Sequence, residues 1–324
     1  MTIFLITSPF QAICSFQFIK ERNIDDYYII VHVVLDDSRL KSILNFLYSE
    51  IPTSKIYILD VKFKKYIKIR RRLGRCDDII IGDCFDLRLL LIAILLLKPL
   101  GFISYVDDGA SSLQFFNDSY KGTLMYNFKK NTLHILRLFK LIKIRQFFTI
   151  FHPNKSKIHL TYNDLSYLRD LKTKRLSQVV DESEVVIIGT NISEYCKSAG
   201  ILESDYLKEF EKILKSLLSY NSKIKYIKHG RCQSKAVVEI LNKYGIIIHI
   251  PKCTIEIDYI QNNETVSTVL AFDSTAIYTM KLLYPISHFI NYQIISKKCK
   301  NPYYEHSRKY LKEHWGIETT RIYI

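Results

Sequence analysis

Short apolar runs alternate with helix-length segments along the first hundred residues. The runs are rich in Ile, Val and Tyr and are listed here by number: 2–6, 27–34, 55–59, 78–81 and 102–106. The segments between them have the length of helices and lie at 10–21, 37–48, 62–73 and 86–97. Strands alternating with helices are typical of α/β proteins, and continuous apolar runs favour a parallel sheet covered on both faces.

The pattern weakens over 110–180, an aromatic and basic stretch, and then resumes. Apolar runs at 185–188, 223–228, 245–250 and 266–272 alternate with helical segments at 204–218, 234–243, 254–261 and 276–283. We therefore predict one α/β domain over 1–175 and a second over 176–300, with a helix in 301–324 that packs back on the first domain. Neither domain has a Gly-x-Gly-x-x-Gly or Walker loop. Two such domains suit an enzyme that binds a nucleotide-linked donor in the cleft between them.

The chain has a large positive charge that is concentrated in two segments. Its 47 Lys and Arg exceed its 32 Asp and Glu by 15. Residues 62–75 contain eight basic residues and residues 129–145 contain six, and neither segment contains an acid. Because apolar side chains are interleaved with these cations, both segments are typical of a basic amphipathic surface on anionic lipid. Solvated helix faces and a surface for nucleic acid are the alternatives.

Hydropathy and cysteine spacing indicate a protein of a reducing cytoplasm. The apolar run 2–6 has no basic leader before it, which argues against a secretory signal peptide. The most apolar stretch, 89–97, falls far short of the roughly 20 residues that span a bilayer as a helix, so we expect a buried helix there. The seven cysteines form no Cys-x-x-Cys pair and no zinc-ligand spacing, which excludes a disulfide scaffold and a structural zinc site of that kind.

Two adjacent carboxylates follow the strand predicted at 102–106. Asp107 and Asp108 should emerge at the carboxyl end of a parallel strand, where open α/β sheets bind their ligands. Repulsion between the two carboxylates, with burial of one, would raise its pKa towards the range of a general base. Gly109 also makes these residues a strong turn signal, so a structural turn is the alternative.

A histidine between cations follows a strand of the second predicted domain. His229 comes after the run 223–228, with Lys228 before it and Arg231 after it. A cationic strand end of this kind suits an anionic leaving group. The alternative is a solvated loop histidine.

A polar turn precedes the helix predicted at 276–283. One of Asp273, Ser274 and Thr275 is a natural N-cap. The same geometry would aim free backbone N–H groups and hydroxyls at a phosphate over the helix start. The sequence contains no Asp-x-Asp, the carboxylate pair that commonly holds a divalent ion under a nucleotide-sugar diphosphate. We therefore expect no metal cofactor.

Taken in order, these motifs resemble those of the bacterial sialyltransferases of glycosyltransferase family 52 and of related bacterial polysialyltransferases. The resemblance is spread over about residues 2–285. Its parts are Thr7-Ser8-Pro9-Phe10-Gln11 after the first strand, Asp107-Asp108-Gly109, His229 at the place of a His-Pro motif, Ile255-Glu256, and Ser274-Thr275 before a helix. Gly230 stands where these families have the proline.

The resemblance implies a fold and an activity. The fold is α/β, with two Rossmann-like domains in a GT-B arrangement, an acceptor-side N-terminal domain, a donor-side C-terminal domain and a cleft between them. The activity is the inverting, metal-independent transfer of sialic acid from CMP-sialic acid to a sugar hydroxyl, with galactose expected. The acceptor would be an oligosaccharide or lipid-linked surface glycan such as lipooligosaccharide, O-antigen or capsule.

The resemblance also implies roles for single residues. Asp107, with Asp108 as second choice, would deprotonate the acceptor hydroxyl, and His229 would protonate or neutralise the departing phosphate. The donor-binding set is Ser274, Thr275, Glu256, Lys228, Arg231 and Gly189, of which Glu256 would meet the ribose or cytosine. Gln11 and Gly109 belong to matching motifs without a role derived from chemistry.

Two other functions fit the same sequence less well. One is a transferase for another nucleotide sugar on the same scaffold, and the other is a basic nucleic-acid-binding protein. No recognised nucleic-acid motif occurs in the chain, so we expect no nucleic-acid partner. We expect a cytoplasmic protein held peripherally on the inner face of the plasma membrane, where lipid-linked acceptors lie.

Overall fold

A computed structural model describes most of the chain. The described residues are 1–33, 37–59, 63–109, 112–113, 132, 142–152, 158–175, 184–220, 223–262 and 266–324. Most of the second basic segment, 129–131 and 133–141, lies outside them, as does much of the predicted interdomain region. The chain divides into two compact units, Met1–Tyr167 and Leu168–Ile324.

The first unit is built on a parallel sheet. Its strands are β1 (Thr2–Ile6), β2 (Tyr27–His32), β3 (Ile56–Leu59), β4 (Cys76–Ile81), β5 (Leu97–Val106), β6 (Ile144–Thr149) and β7 (Leu160–Tyr162), in the order β3-β2-β1-β4-β5-β6-β7. The connecting helices are α1 (Pro9–Glu21), α2 (Asp37–Glu50), α3 (Phe63–Leu73) and α4 (Leu87–Leu96). Helix α5 (Ser166–Arg175) spans the point where the units divide.

The side-chain alternation of β1 shows why helices cover both faces of this sheet. Successive residues of a strand point to opposite faces. Ile3 and Leu5 belong to one apolar cluster with the inward residues of α3 and α4. Phe4 instead meets Phe18 of α1, with ring centroids 6.0 Å apart. A strand buried on both faces therefore reads as the uninterrupted apolar run that predicted it.

The second unit repeats this plan with a shorter sheet. Its strands are β8 (Val185–Ile188), β9 (Ile224–Ile227), β10 (Ile247–His249), β11 (Thr268–Ala271), β12 (His288–Ile295) and β13 (Thr319–Tyr323), all parallel, in the order β10-β9-β8-β11-β12-β13. Its helices are α6 (Ile192–Ala199), α7 (Glu203–Tyr220), α8 (Lys235–Lys243), α9 (Ile255–Gln261), α10 (Ala276–Leu283) and α11 (Pro302–Trp315). The predicted α/β class with two Rossmann-like units is confirmed.

Two interpretations of the sequence need correction. The stretch over 110–180 contains β6 and β7, which extend the first sheet, although the pattern there predicted no strand. The helix expected to be buried is α4, and it is buried on one face only, because Leu91 on its other face is 61% exposed. No helix among the described residues combines the length and apolar character needed to cross a membrane.

Candidate functional site

The carboxyl ends of four adjacent strands bring the polar residues of the first unit together. Strands β1, β4, β5 and β6 are neighbours, and all are parallel, so the segments that follow them meet at one edge of the sheet. These segments supply Ser8 after β1, Gly82 after β4, Asp107 and Asp108 after β5, and Ile150 after β6. We call this set the acidic edge.

Asp107 is completely buried, and both of its carboxylate oxygens accept hydrogen bonds. Thr149 Oγ1 donates to Oδ1 over 2.8 Å, and the backbone N–H of Ile150 donates to Oδ2 over 2.5 Å. Burial raises the pKa of Asp107 to about 7, and the charge of Asp108 adds to the rise, while these donors and Ser112 oppose it. The acidic edge therefore contains a carboxyl group whose pKa is raised to about 7.

Asp108 is only partly buried and is held from one side by the first helix. Gln11 Nε2 donates to Asp108 Oδ1 over 2.5 Å, and Ser8 Oγ donates to the same oxygen over 3.3 Å. Ser8 also caps α1, since its Oγ accepts from the Gln11 backbone N–H over 3.2 Å. The amide of Gln11 is itself fixed, because its Oε1 accepts from the Thr7 backbone N–H over 2.7 Å. The Ser-Pro-x-Gln stretch is therefore a device that orients the second carboxylate.

Two glycines shape the acidic edge. A Cβ on Gly82 would lie 2.3 Å from Gln11 Oε1, so a side chain there would push the Gln11 amide away from Asp108. Gly109 has φ +72°, a conformation in which other residues are strained, and it turns the chain away directly after the acidic pair. Gly82 was missed from the sequence, because its contact with Gln11 joins positions 71 residues apart.

The carboxyl ends of the second sheet carry most of the remaining predicted residues. Gly189 follows β8, His229 follows β9, and Asp273 follows β11, while His249 ends β10. Since these four strands are neighbours in a parallel sheet, their ends form a second polar edge. We call it the histidine edge.

His229 lies in a turn whose geometry fixes its ring. Its Nδ1 accepts from the Arg231 backbone N–H over 3.2 Å, which places the proton of the neutral ring on Nε2. The Arg231 side chain is exposed and forms an ion pair with Glu194 over 3.3 Å, so Glu194 partly neutralises its charge. Lys228 is half-buried, and its backbone N–H donates to the His249 carbonyl. Of the predicted cationic cluster, Lys228 and His229 directly follow Ile227, the last residue of β9.

Gly189 is required by packing against the neighbouring strand. Its N–H donates to the Ile227 carbonyl over 2.9 Å, and a Cβ would lie 2.4 Å from the Tyr226 hydroxyl oxygen. This contact explains the glycine without a ligand. Its predicted donor-binding role stays a prediction.

The turn before α10 is held by a buried clamp on Asp273. Asn291 exchanges two hydrogen bonds with Asp273, since its Oδ1 accepts from the Asp273 backbone N–H and its Nδ2 donates to Asp273 Oδ1, each over 2.9 Å. Gln293 and Ser307 also donate to Oδ1, over 3.1 and 3.2 Å. This clamp keeps Asp273 at φ +49° and so sets the direction in which Ser274 and Thr275 enter the helix.

The clamp buries the carboxyl group of Asp273 among polar side chains. Burial raises its pKa to about 6, although the three side-chain donors and the charge of Arg321 oppose the rise. Ser274 and Thr275 are half-exposed at the start of α10, as a phosphate-binding turn requires. The sequence pointed to Asp273 only as a capping residue, because Asn291 and Gln293 lie on a strand that was not predicted.

Glu256 lies inside the second unit. It is 4% exposed, and Thr279 Oγ1 of α10 donates to its Oε1 over 2.5 Å. The carboxylate therefore ties α9 to α10, the helix that follows Ser274 and Thr275. Its predicted contact with ribose or cytosine stays a prediction.

A histidine that the sequence analysis missed lies on the same edge. His249 Nε2 is hydrogen-bonded to the buried carboxylate of Asp258 on α9. Asp258 also accepts from the Lys252 backbone N–H over 3.2 Å, which closes the turn between β10 and α9. The spacing of nine residues crosses a strand end and a turn, so periodicity gives no sign of this pair. Among the described residues, no group of three or more His, Cys, Asp and Glu could hold a metal ion.

Comparison with known proteins finds similarity in structure and not in sequence. No protein-family profile and no curated protein sequence matches the chain. A solved α/β-galactoside α-2,3-sialyltransferase from Photobacterium phosphoreum is similar with a TM-score of 0.58 at 9% identity, over 98% of this chain and 97% of that one.

Two other solved structures have a similar fold. A UDP-glucose:anthocyanidin 3-O-glucosyltransferase in complex with UDP has a TM-score of 0.50 at 10% identity, over 98% of this chain and 85% of that one. A protein from Listeria monocytogenes described as a UDP-N-acetylglucosamine 2-epimerase has a TM-score of 0.51 at 12% identity, over 85% and 75%. At these identities the likeness shows the fold, which is the predicted α/β fold with two Rossmann-like units.

Proposed function

We propose that this protein is an inverting glycosyltransferase that moves sialic acid from CMP-sialic acid to a sugar hydroxyl, galactose, of a bacterial surface glycan. The observation that carries the proposal is the acidic edge, where a buried carboxyl group and an oriented, accessible carboxylate follow one strand of a two-unit α/β fold. The structural likeness to a sialyltransferase over nearly the full length of both chains supports the same class of reaction.

We assign the general base to Asp108 and a positioning role to Asp107. Both oxygens of Asp107 already accept hydrogen bonds from within the unit, and the group has no exposed surface. Asp108 is partly exposed, and hydrogen bonds from Gln11 and Ser8 orient its carboxylate. Its carboxylate can therefore accept a proton from an acceptor hydroxyl while Gln11 and Ser8 keep it in place. The geometry thus reverses the order of preference that the sequence suggested.

The leaving group is assigned to the histidine edge. Departure of CMP leaves a phosphate dianion, which needs hydrogen-bond donors and positive charge as the anomeric bond breaks. His229 follows β9, and the hydroxyls of Ser274 and Thr275 lie at the start of α10, so that these side chains and the helix N-terminus would supply the donors. In an inverting displacement the base and the leaving group act on opposite faces of the sugar. These donors would stabilise the negative charge of a departing monophosphate, as a divalent ion stabilises that of a departing diphosphate. We therefore propose a reaction without metal.

We also propose where the protein works and what it meets there. Its partners would be the CMP-sugar donor, an oligosaccharide or lipid-linked glycan acceptor and an anionic membrane surface, without nucleic acid. All seven cysteines are free thiols, in keeping with a reducing cytoplasm. The basic helix α3 would hold the enzyme peripherally on the inner face of the plasma membrane, beside lipid-linked acceptors.

Substitution of Asp108 and of Asp107 in turn tests the proposed roles of the two carboxylates. Asp108→Asn should lower turnover with CMP-sialic acid about a hundredfold or more while CMP affinity stays within a few fold, because a base acts in the transition state and not in donor binding. Asp107→Asn should retain much more activity, since an amide can preserve the buried contacts. Full activity of Asp108→Asn would contradict the assignment of the base. Loss in Asp107→Asn alone would return that role to Asp107.

A further inference from the structure

Helix α4 presents apolar side chains to solvent. Its inward residues, such as Leu89 and Ala93, fill the core of the first unit. On the other face, Leu91 is 61% exposed and Ile94 is 37% exposed, and they lie three residues apart, on one side of the helix. Leu100, four residues after the helix, is 76% exposed. A soluble helix normally carries polar residues on its outward face, so this pattern calls for a partner.

Helix α3 lies beside α4 and carries the complementary chemistry. Its Tyr66 and Ile69 are buried in the same apolar cluster as the inward residues of α4, so both helices cover the same face of the sheet. Lys68 and Arg71 of α3, and Arg75 two residues after its end, are exposed, and none of the three forms an ion pair within the part of the chain that the structure describes. Cations therefore adjoin exposed aliphatic side chains on one side of the first unit.

Part of the positive charge of the first unit lies at the amino edge of its sheet, opposite the acidic edge. Arg75 directly precedes β4 and Lys143 directly precedes β6, so both lie at the amino edge of the first sheet, opposite Asp108. Four acids lie at this edge, Asp25 and Asp26 before β2 and Asp77 and Asp78 at the start of β4, and three of them have basic partners: the Met1 amino group lies 3.3 Å from Asp26, Lys98 lies 2.7 Å from Asp77, and Arg145 lies 2.9 Å from Asp78. The positive charge at this edge therefore exceeds what its carboxylates neutralise.

We propose that α3 and α4 form an interfacial docking surface for an anionic lipid bilayer. Leu91 and Ile94 would enter the headgroup region, and Lys68, Arg71 and Arg75 would lie on lipid phosphates; these five residues are the α3–α4 surface. Charge complementarity and exposed aliphatic side chains on one side are the combination that interfacial binding needs. Nucleic acid would use the cations but gains little from exposed leucine and isoleucine. The proposal rests on the proposed membrane location and is independent of the proposed chemistry.

A tryptophan placed in the surface reports on insertion. The chain contains a single tryptophan, Trp315 in the second unit. The emission of an introduced tryptophan is therefore obtained by subtracting the wild-type spectrum from that of the variant. Leu91→Trp should shift its emission to the blue with vesicles of phosphatidylcholine containing 30% phosphatidylserine, and brominated lipid should quench it. Leu202→Trp is the matched control, because Leu202 is 69% exposed in the second unit and should show neither change.

Sedimentation with the same vesicles separates the two contributions to binding. At 0.1 M salt, Lys68→Gln/Arg71→Gln/Arg75→Gln should weaken partitioning at least tenfold, since each cation near an anionic leaflet contributes roughly a fivefold factor. At 0.5 M salt, where charge is screened, Leu91→Gln/Ile94→Gln should weaken the residual partitioning by about tenfold. The control triple Lys208→Gln/Lys212→Gln/Lys215→Gln removes the same charge from an exposed helix of the second unit and should change little.

Several results would overturn the proposal. Wild-type protein that ignores anionic vesicles at low salt has no such surface, and equal losses in the two lysine and arginine triples would mean that net charge alone attracts the protein. Vesicle binding without a spectral change at Leu91→Trp would place the contact elsewhere. A loss of binding to a 20-base-pair DNA duplex, with vesicle binding intact, would assign the cations to nucleic acid. Turnover on a soluble acceptor should stay unchanged in all these variants, which separates failure of this proposal from failure of the proposed chemistry.

Discussion

The buried carboxyl group of Asp107 should make the stability of the protein depend on pH in a defined direction. Burial raises its pKa in the folded state from the ordinary 3.8 to about 7, so the folded chain holds a proton that the unfolded chain has already released. Its contribution to stability is therefore complete below pH 3.8 and is lost as the pH rises towards 7. Over the whole range the loss is about 4 kcal/mol, at 1.36 kcal/mol for each pH unit.

The substitution Asp107→Asn isolates this contribution. An amide has no charge to bury, and it can keep both contacts if its Oδ1 accepts from the Ile150 N–H and its Nδ2 donates to Thr149 Oγ1. Between pH 5 and pH 8 the free energy of unfolding of the variant should therefore rise by about 2.5 kcal/mol relative to wild type. The slope of about 1.36 kcal/mol per pH unit applies over roughly two of these units, from pH 5 to the folded-state pKa of about 7. Other groups titrate in both proteins, so they cancel in this difference.

Urea denaturation of the two proteins at several pH values gives the measurement. The exposed carboxylate Asp170 offers a control, because Asp170→Asn should follow the wild type across the range. A difference between Asp107→Asn and wild type that does not change with pH would contradict a raised pKa of Asp107 in the folded state. It would mean that hydrogen bonds from Thr149 and Ile150 already outweigh burial and keep Asp107 ionised at pH 5.

Two further predictions concern the histidine edge. His229→Ala and Ser274→Ala should both weaken CMP binding measured by calorimetry, with the larger fall in turnover for His229→Ala because it acts as charge develops on the leaving phosphate; wild-type affinity in both would remove the phosphate from this edge. Turnover should survive excess EDTA, since in the proposed reaction side-chain donors and a helix N-terminus would serve the departing phosphate; activity that EDTA abolishes and magnesium or manganese restores would contradict the metal-free reaction.

The sequence predicted the parts of the fold whose residues are apolar throughout. Strands β1, β2 and β8 are buried and read as continuous apolar runs, so their positions were predicted closely. Strand β12 was missed, because its buried Asn291 and Gln293 interrupt the run in order to clamp Asp273. Polar residues that are buried to serve another residue hide a strand from pattern analysis.

The candidate site could be predicted only where its residues are close in sequence or follow a strand. The pair Asp107 and Asp108 was found because a strand end followed by two carboxylates is a local pattern. Thr149 and Gly82, which determine how these carboxylates are held, come from other strands and became visible only with the sheet order. The proposal that Asp108 is the base rests on its exposure, which depends on the whole unit and cannot be read from the sequence.

The nucleotide that the protein releases identifies its sugar donor. The purified protein is incubated with a panel of nucleotide sugars and a galactose-terminated acceptor, and the release of each free nucleotide is measured by chromatography. We expect release of CMP from CMP-sialic acid, dependent on the acceptor and lost in Asp108→Asn, together with a sialylated product. Release of UDP or another nucleotide, with CMP-sialic acid left intact, would contradict the proposed CMP-linked donor.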